Sequence, residues 1–438
     1  MASPRTRRRL LLFLLLISFA LASYWWTQRL KTFLPVAVLP KADTQIISTS
    51  GILLQMGQAN YIFYDWHGMQ RWHLSPPSRS CDGTAVNGSA FALSPDGHNA
   101  AIAVVTRQSL WVQRWRDGQP REDSFIRLKP YVDASYHYYG PIWGYYGLFG
   151  GIAIDNNNQV MVAMTVADGV KVLKFQGKKL LATGNLKSLM RMEDNKCYGS
   201  VQFYGDIFLL FTCGPERYYH FVVKNQRIAI TAIPEMRGCN AASIANSGAV
   251  ILTTSHDYAL HNLPTSKIRR PNGSFTKSDY FYLIPPGGNY VLHQNVPKEL
   301  FRVESLDGQY LWQIPTTENP KINEIIALSE NVRFALIEQF TNIDADKRFQ
   351  LYERPGKIRG FLPVTHYRNN AVDGKTGEVL NYLCDFECNG LKYFICIEGA
   401  LKFGNDCIIS PDGHSIFLKA STRERYLVDG QYVVFMPT

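Results

Sequence analysis

Helical periodicity is missing from this 438-residue sequence beyond about residue 45. No later stretch repeats apolar residues at the three-and-four spacing of an amphipathic helix, which argues against α/β architectures. Catalytic signatures are equally scarce. There is no G-x-S-x-G nucleophile elbow, so the peptidase chemistry often found beside repeat folds has no residue to act through. There is no H-E-x-x-H helix and no glycine-rich phosphate loop. Charged residues make up only 19%, and the body holds no Lys/Arg block of the kind that tracks a phosphate backbone. The formal charge of +10 is partly local: Arg5, Arg7, Arg8, Arg9, Arg29 and Lys31 fall in the first 31 residues, where there is no acid. The remainder is only mildly basic. Nucleic acid is therefore a poor candidate partner, and nothing in the sequence implies a cofactor.

Apolar residues are plentiful, at 46%, and aromatics reach 13%. That composition supports a sizeable core and argues against disorder. The aromatic excess favours strands.

The N-terminus carries an export pattern. Arg5-Thr6-Arg7-Arg8-Arg9 precedes an uncharged run from Leu10 to Trp26, and positive charge ahead of an apolar run stays on the cytoplasmic side. Ala20-Leu21-Ala22 before Ser23 fits a signal-peptide cleavage site. An uncleaved signal anchor is the other fate. As a helix the run reaches roughly 25 Å, slightly short of a bilayer core, with Tyr24, Trp25 and Trp26 suited to the far interface. Either fate puts the body outside the cytoplasm, periplasmic or extracellular. The expected organisation is signal anchor or signal peptide over 1–26, a linker over 27–42 containing Pro35 and Pro40, and a repeat domain over 43–438.

The body repeats one plan of four short strands separated by tight turns. In residues 91–130 it reads Phe-Ala-Leu, Ser94-Pro95-Asp96-Gly97, Ala-Ala-Ile-Ala-Val-Val, Leu-Trp-Val-Gln-Arg-Trp, then Arg-Asp-Gly-Gln. Residues 150–183 follow it, and further copies start near Ser200, Ala241, Tyr280, Glu324 and Cys407, with a partial one over 47–75. Gly at these turns supplies positive φ, and Pro presets the first turn position. Four-stranded units at such spacing predict an all-β fold, a β-propeller of seven or eight four-stranded blades, with eight favoured, preceded by one N-terminal hydrophobic helix. A lone sheet of this kind cannot bury both faces, whereas neighbours in a ring can.

The Ser-Pro-Asp-Gly turns at 94–97 and 410–413 resemble the WD40-like repeats of TolB-type periplasmic propellers. The stretch Leu306-Asp307-Gly308-Gln309-Tyr310-Leu311-Trp312 looks like the blade end of quinoprotein-type propellers. The resemblance implies a fold and a protein-binding role. It carries over no catalytic residue.

Eight cysteines are present: Cys81, Cys197, Cys213, Cys239, Cys384, Cys388, Cys396 and Cys407. The last four fall close together, but their spacing is not a zinc pattern and no His lies among them, so disulfides are the better reading in an oxidising compartment. Asn389-Gly390 marks a hairpin. A three-residue loop puts Cys384 opposite Cys396; a two-residue loop makes them miss by one. The same arithmetic around Tyr204-Gly205-Asp206 governs Cys197 and Cys213. Both pairs are candidate cross-strand disulfides.

Residues 131–151 are crowded with rings, and Tyr136, His137, Tyr138, Tyr139, Trp143, Tyr145 and Tyr146 form the candidate ligand-binding loop, able to stack on a sugar or a peptide. Packing between blades is the alternative use. Asp155-Asn156-Asn157-Asn158 and Asp344-Ala345-Asp346 lack the Gly and Glu that a calcium loop needs and read as turns. The functional expectation is a non-catalytic binding or scaffold propeller for a protein or envelope polymer, membrane-attached if the anchor is retained. The alternative is a propeller enzyme acting on a glycan or lactone through carboxylates at a central channel.

Overall fold

The computed structural model describes Ser18 and residues 30–438 outside the segments 58–59, 76–88, 106–109, 122–124, 132–148, 167–168, 188–200, 205–206, 213–216, 225, 234–240, 245–249, 254–265, 270–273, 279–280, 284–289, 296–299, 306–308, 315–322, 330, 340–348, 355, 363–365, 370–381, 398–406 and 423–429. Apart from a short 3-10 turn at Lys129–Tyr131, the elements among the described residues from 30 onward are strands. They form propeller-like antiparallel meanders in which each strand pairs with the next in sequence. Quartets run over 44–74, 149–187, 201–233, 241–278, 281–314 and 323–362. The 89–127 sheet has a split outer strand, Gln119–Pro120 and Ile126–Arg127, both pieces pairing with Leu110–Arg116. Each repeat start read from the sequence coincides with the first strand of one of these sheets. Among the described residues no helix is long and apolar enough to cross a membrane; the run 10–26 lies almost wholly outside them.

Buried faces explain why many strands do not alternate. In Asn99–Val105, Ala100 and Ile102 pack toward the 44–74 sheet with Leu53, Tyr61, Phe63 and Trp72. Ala101 and Ala103 pack the other way, against Ile152, Val160, Val162 and Phe175 of the 149–187 sheet. A strand covered on both sides has no solvent face for polar residues, so its sequence reads as a continuous apolar run.

Residues 31–38 were expected to lie in a linker. They form a strand instead, and it closes the fold. Lys31–Val38 pairs antiparallel with Gln431–Pro437, completing a quartet with Cys407–Ile409 and Ile416–Ala420. Phe33 is 2% exposed, packed with Leu362, Ile409 and Phe435. Pro35, which lacks an N–H to donate, sits beside a bulge where the register shifts between Pro35 and Ala37. One face of this quartet packs on the 323–362 sheet with Phe334, Leu336 and Leu351. Its other face packs on the 44–74 sheet, where Phe417, Tyr432 and Val434 meet Ile52, Leu54 and Tyr64. The sheets 281–314, 323–362, closing quartet, 44–74, 89–127 and 149–187 thus stack face to face in that order. The series runs through both ends of the described chain without a gap.

Outer strands also touch. Lys31–Val38 pairs in parallel with Lys357–Leu362, where Gly360 lies against the Lys31 backbone; a Cβ there would meet Lys31 O at 2.2 Å. A matching parallel contact, Thr183 with Arg227, joins the 149–187 and 201–233 sheets, again beside a glycine, Gly184. A three-stranded sheet, His366–Asn369, Tyr382–Cys388 and Leu391–Ile397, was not foreseen as a repeat. It adds Phe386, Cys388 and Tyr393 to the core beside the closing quartet.

Candidate binding face

The turn between the first two strands is built the same way in three sheets. Ser94 Oγ donates to Asp96 Oδ1 at 2.5 Å and accepts the Asn99 N–H at 2.9 Å, while the His98 N–H donates to Asp96 Oδ1. Ser410, Asp412, His414 and Ser415 repeat those bonds. Ser329, Asn331, Arg333 and Phe334 repeat them again. In the third copy Val332, at φ 53°, stands where Gly97 and Gly413 stand at φ 80° and 70°. Asp155 is a variant in which the carboxylate itself accepts the Gln159 N–H, at 2.6 Å.

These turns are linked to one another. The Thr49 N–H donates to Pro95 O at 2.8 Å, joining the first sheet to the second. Asn99 Nδ2 donates to Asn156 O at 3.2 Å, and the Asp96 N–H to Asn156 Oδ1, joining the second to the third. Asn331 Nδ2 donates to Pro411 O at 2.7 Å, joining the 323–362 sheet to the closing quartet. In each case the carbonyl of the second turn residue, Pro95, Asn156 or Pro411, accepts from the preceding sheet. Backbone carbonyls and amides used this way are fixed in place, so the turns of three consecutive sheets, and separately of the 323–362 sheet and the closing quartet, form rigid polar surfaces at this end.

The third turn of a sheet, between its third and fourth strands, opens on the same end as the first. His98 Nδ1 lies 2.7 Å from Asp117 Oδ1, tying the first turn of the 89–127 sheet to its third. Arg333 Nε donates to Glu353 Oε1 at 2.8 Å, doing the same in the 323–362 sheet. A spacing that the sequence reading missed recurs here. Asp65 and Glu353 each precede a glycine by three and an arginine by six. Asp65 accepts the His67 and Met69 N–H groups and Arg71 Nε at 2.6 Å. Glu353 accepts Arg333 and Arg359, the latter through Oε2. D/E-x-x-G-x-x-R is the signal that finds both.

Electrostatics follow from these contacts. Burial works against the charge of Glu353, but hydrogen bonds and charge from Arg359 and Arg333 outweigh it, so its pKa lies below the ordinary value. Burial likewise opposes the Asp412 charge and is outweighed by the Ser410 hydroxyl and by His414, which again leaves a lowered pKa. At Asp155 burial wins over the Gln159 and Asn157 bonds and the charge of Lys174, and the pKa is raised. Asp96, Asp155 and Asp412 thus each spend a carboxylate oxygen on their own turn. Among the described residues no three His, Cys, Asp or Glu side chains gather as a metal site. The arrangement suits recognition of a polar surface. Thr49, Pro95, His98, Asn156, Asn157, Asn331, Arg333, Asp412 and His414 are exposed along it.

The ring-rich loop, Tyr136, His137, Tyr138, Tyr139, Trp143, Tyr145 and Tyr146, lies outside the described residues, as do Cys197, Cys213 and Asp344–Asp346. At the loop's flank, Tyr131 is packed edge-on against Phe175 of the next sheet, with ring centroids 5.3 Å apart. That ring serves packing between sheets. The hairpin at Asn389-Gly390 has the two-residue turn, with both residues at positive φ and Cys388 paired to Leu391. Cys384 therefore faces Ile395, and Cys396 faces Leu383. The expected alignment of the two cysteines misses by one residue. Cys388 is a free buried thiol whose pKa burial pushes up.

No family model matches the chain, and no curated protein matches it. Solved structures do. A structure titled Dos1 propeller is 12% identical over 80% of this chain and 92% of its own, with TM-score 0.36. The β-propeller domain of Myceliophteria thermophila Cps50 (Swd1) is 10% identical over 93% and 100%, with TM-score 0.41. The computationally designed Ika8 protein is 12% identical over 82% and 96%, with TM-score 0.39. At these scores the propeller-like architecture rests on the chain's own sheets.

Proposed function

We propose that this chain is an exported, membrane-tethered β-propeller of eight blades that binds a protein or an envelope polymer through the turn face and catalyses no reaction. The count takes the seven sheets at 44–74, 89–127, 149–187, 201–233, 241–278, 281–314 and 323–362 together with the closing quartet, and treats 366–397 as an insertion. The Ser-Pro-Asp-Gly turns support a TolB-like subtype.

The observation that carries the reading is the set of bonds from turn to turn. They hold exposed polar groups of five sheets in two fixed arrays, which lowers the ordering cost of binding a large partner. The carboxylates on that face are committed to turn geometry, which favours recognition over acid–base chemistry. Export is supported by Arg5–Arg9 and the uncharged run 10–26.

The test is photo-crosslinking of the full chain in its own cells, with a photoreactive residue at 98, 414 or 387. Discrete adducts from 98 and 414, and none from 387 on the three-stranded sheet, are expected. Equal adducts from 387, or none from the turn positions, would overturn the assignment of the binding face.

A further inference from the structure

Six large apolar side chains stand exposed among the described residues, and four of them lie close along the chain or against it: Leu34 and Val36 on the closing strand, Leu30 just ahead of it, and Met69 in the turn packed beside it. Leu34 pairs across the ladder with Met436, so the two share a face. That face turns toward the 44–74 sheet, where Ala37 and Met436 pack at its margin. Leu34 and Val36 stand beyond the cover that sheet provides, 41% and 50% exposed. Val36 lies in the bulge between Pro35 and Ala37, and a bulge re-aims the side chain it carries. The turn carrying Met69 sits on the same margin: a Cβ on Gly68 would lie 3.1 Å from Val434 and 3.4 Å from Ala37. Scattered apolar residues on a surface need no explanation, but a grouped set does.

The sequence says what covers this one. The uncharged run ends at Trp26, and the closing strand starts at Lys31. The intervening chain reaches at most about 17 Å, so wherever the run is embedded, the seam is close by. Arg29 and Lys31 flank it with positive charge suited to anionic headgroups. We propose that the seam of Leu30, Leu34, Val36 and Met69 is the face with which the domain rests on the bilayer that residues 10–26 enter. This builds on the tethered reading above and adds an orientation: the rim at the closing quartet lies on the lipid.

The test uses the full chain in phosphatidylethanolamine–phosphatidylglycerol vesicles. These carry a phospholipid with a diazirine near the glycerol end of one acyl chain. After photolysis, digestion and mass spectrometry locate the adducts. Lipid adducts are expected within 10–26 and also at Leu30–Val36 and Met69, the latter several-fold above those at Tyr310 and Leu391, which are exposed elsewhere. Adducts in 10–26 with none above that background at the seam would overturn the orientation and leave the tether standing. Absence of adducts from 10–26 would overturn the tether and the orientation with it.

Discussion

Replacing Gly413 with alanine tests the stacking of sheets more directly than any core truncation. Gly413 ends the Ser410 turn at φ 70°, and a Cβ placed there lies 2.5–2.6 Å from three ring atoms of Phe334 on the neighbouring sheet. Two costs follow. A left-handed alanine costs roughly 1–2 kcal/mol relative to glycine. The contact adds roughly 1–3 kcal/mol of overpacking, because a ring 4% exposed has little room to retreat. The sum is about 2–5 kcal/mol. Gly390 separates the two costs, since it sits at φ 73° with nothing within 4 Å of its virtual Cβ. Gly390→Ala should therefore lose only about 1–2 kcal/mol. Urea unfolding followed by tryptophan fluorescence on both variants gives the difference, and Gly413→Ala combined with Phe334→Leu should recover part of it. Equal losses in Gly413→Ala and Gly390→Ala would mean that the ring does not lie over the turn, and the order of stacked sheets would fail at that junction.

The closing strand and the buried carboxylate give two further outcomes. Phe33→Ala should cost about 3–5 kcal/mol in the same urea assay, a loss out of proportion for a residue that reads as linker; a change below about 1 kcal/mol would remove the strand's role. Glu353 has a folded-state pKa lowered from 4.5, so it contributes stability above that value which is lost as pH falls through the lowered one. Asp412 acts in the same direction. Melting temperature should therefore drop below about pH 4.5 in the wild type. Glu353→Gln should be less stable at neutral pH, by roughly 1.5–3 kcal/mol, and should drop less on acidification. An unchanged acid slope would refute the assignment.

Much of the fold was legible because its turns are spelled out. Ser94-Pro95-Asp96-Gly97 and Ser410-Pro411-Asp412-Gly413 supply hydroxyl, carboxylate and positive φ in fixed order, and the apolar runs between them fit strands covered on both faces. The turn at Ser329 hides the same bonds. Asn331 replaces the aspartate, and Val332 takes up the positive φ (53°) while burying its side chain beside Trp312 and Tyr352. Pairing between the two ends of the chain cannot be read from local pattern, so Pro35 made 31–38 look like linker. Its place beside a bulge is a tertiary fact. The hairpin at Asn389-Gly390 was visible, but not whether two or three residues formed its turn, and that single residue decides which partner each cysteine meets across the ladder. The turn-to-turn bonds left no trace in sequence beyond Asn99, Asn156 and Asn331 themselves, because the groups they reach are backbone carbonyls and an amide on another sheet.

The strand at Lys31–Val38 also sets a clock for biosynthesis. Thr438 donates to Thr32 O across 406 positions of chain. At about 5–20 residues per second, the first strand waits roughly 20–80 s for its partner to leave the ribosome. Throughout that interval its ladder groups and Phe33 are uncovered, close in sequence to the uncharged run 10–26. A holdase that shields this strand until the last segment arrives is the kind of helper such a topology demands.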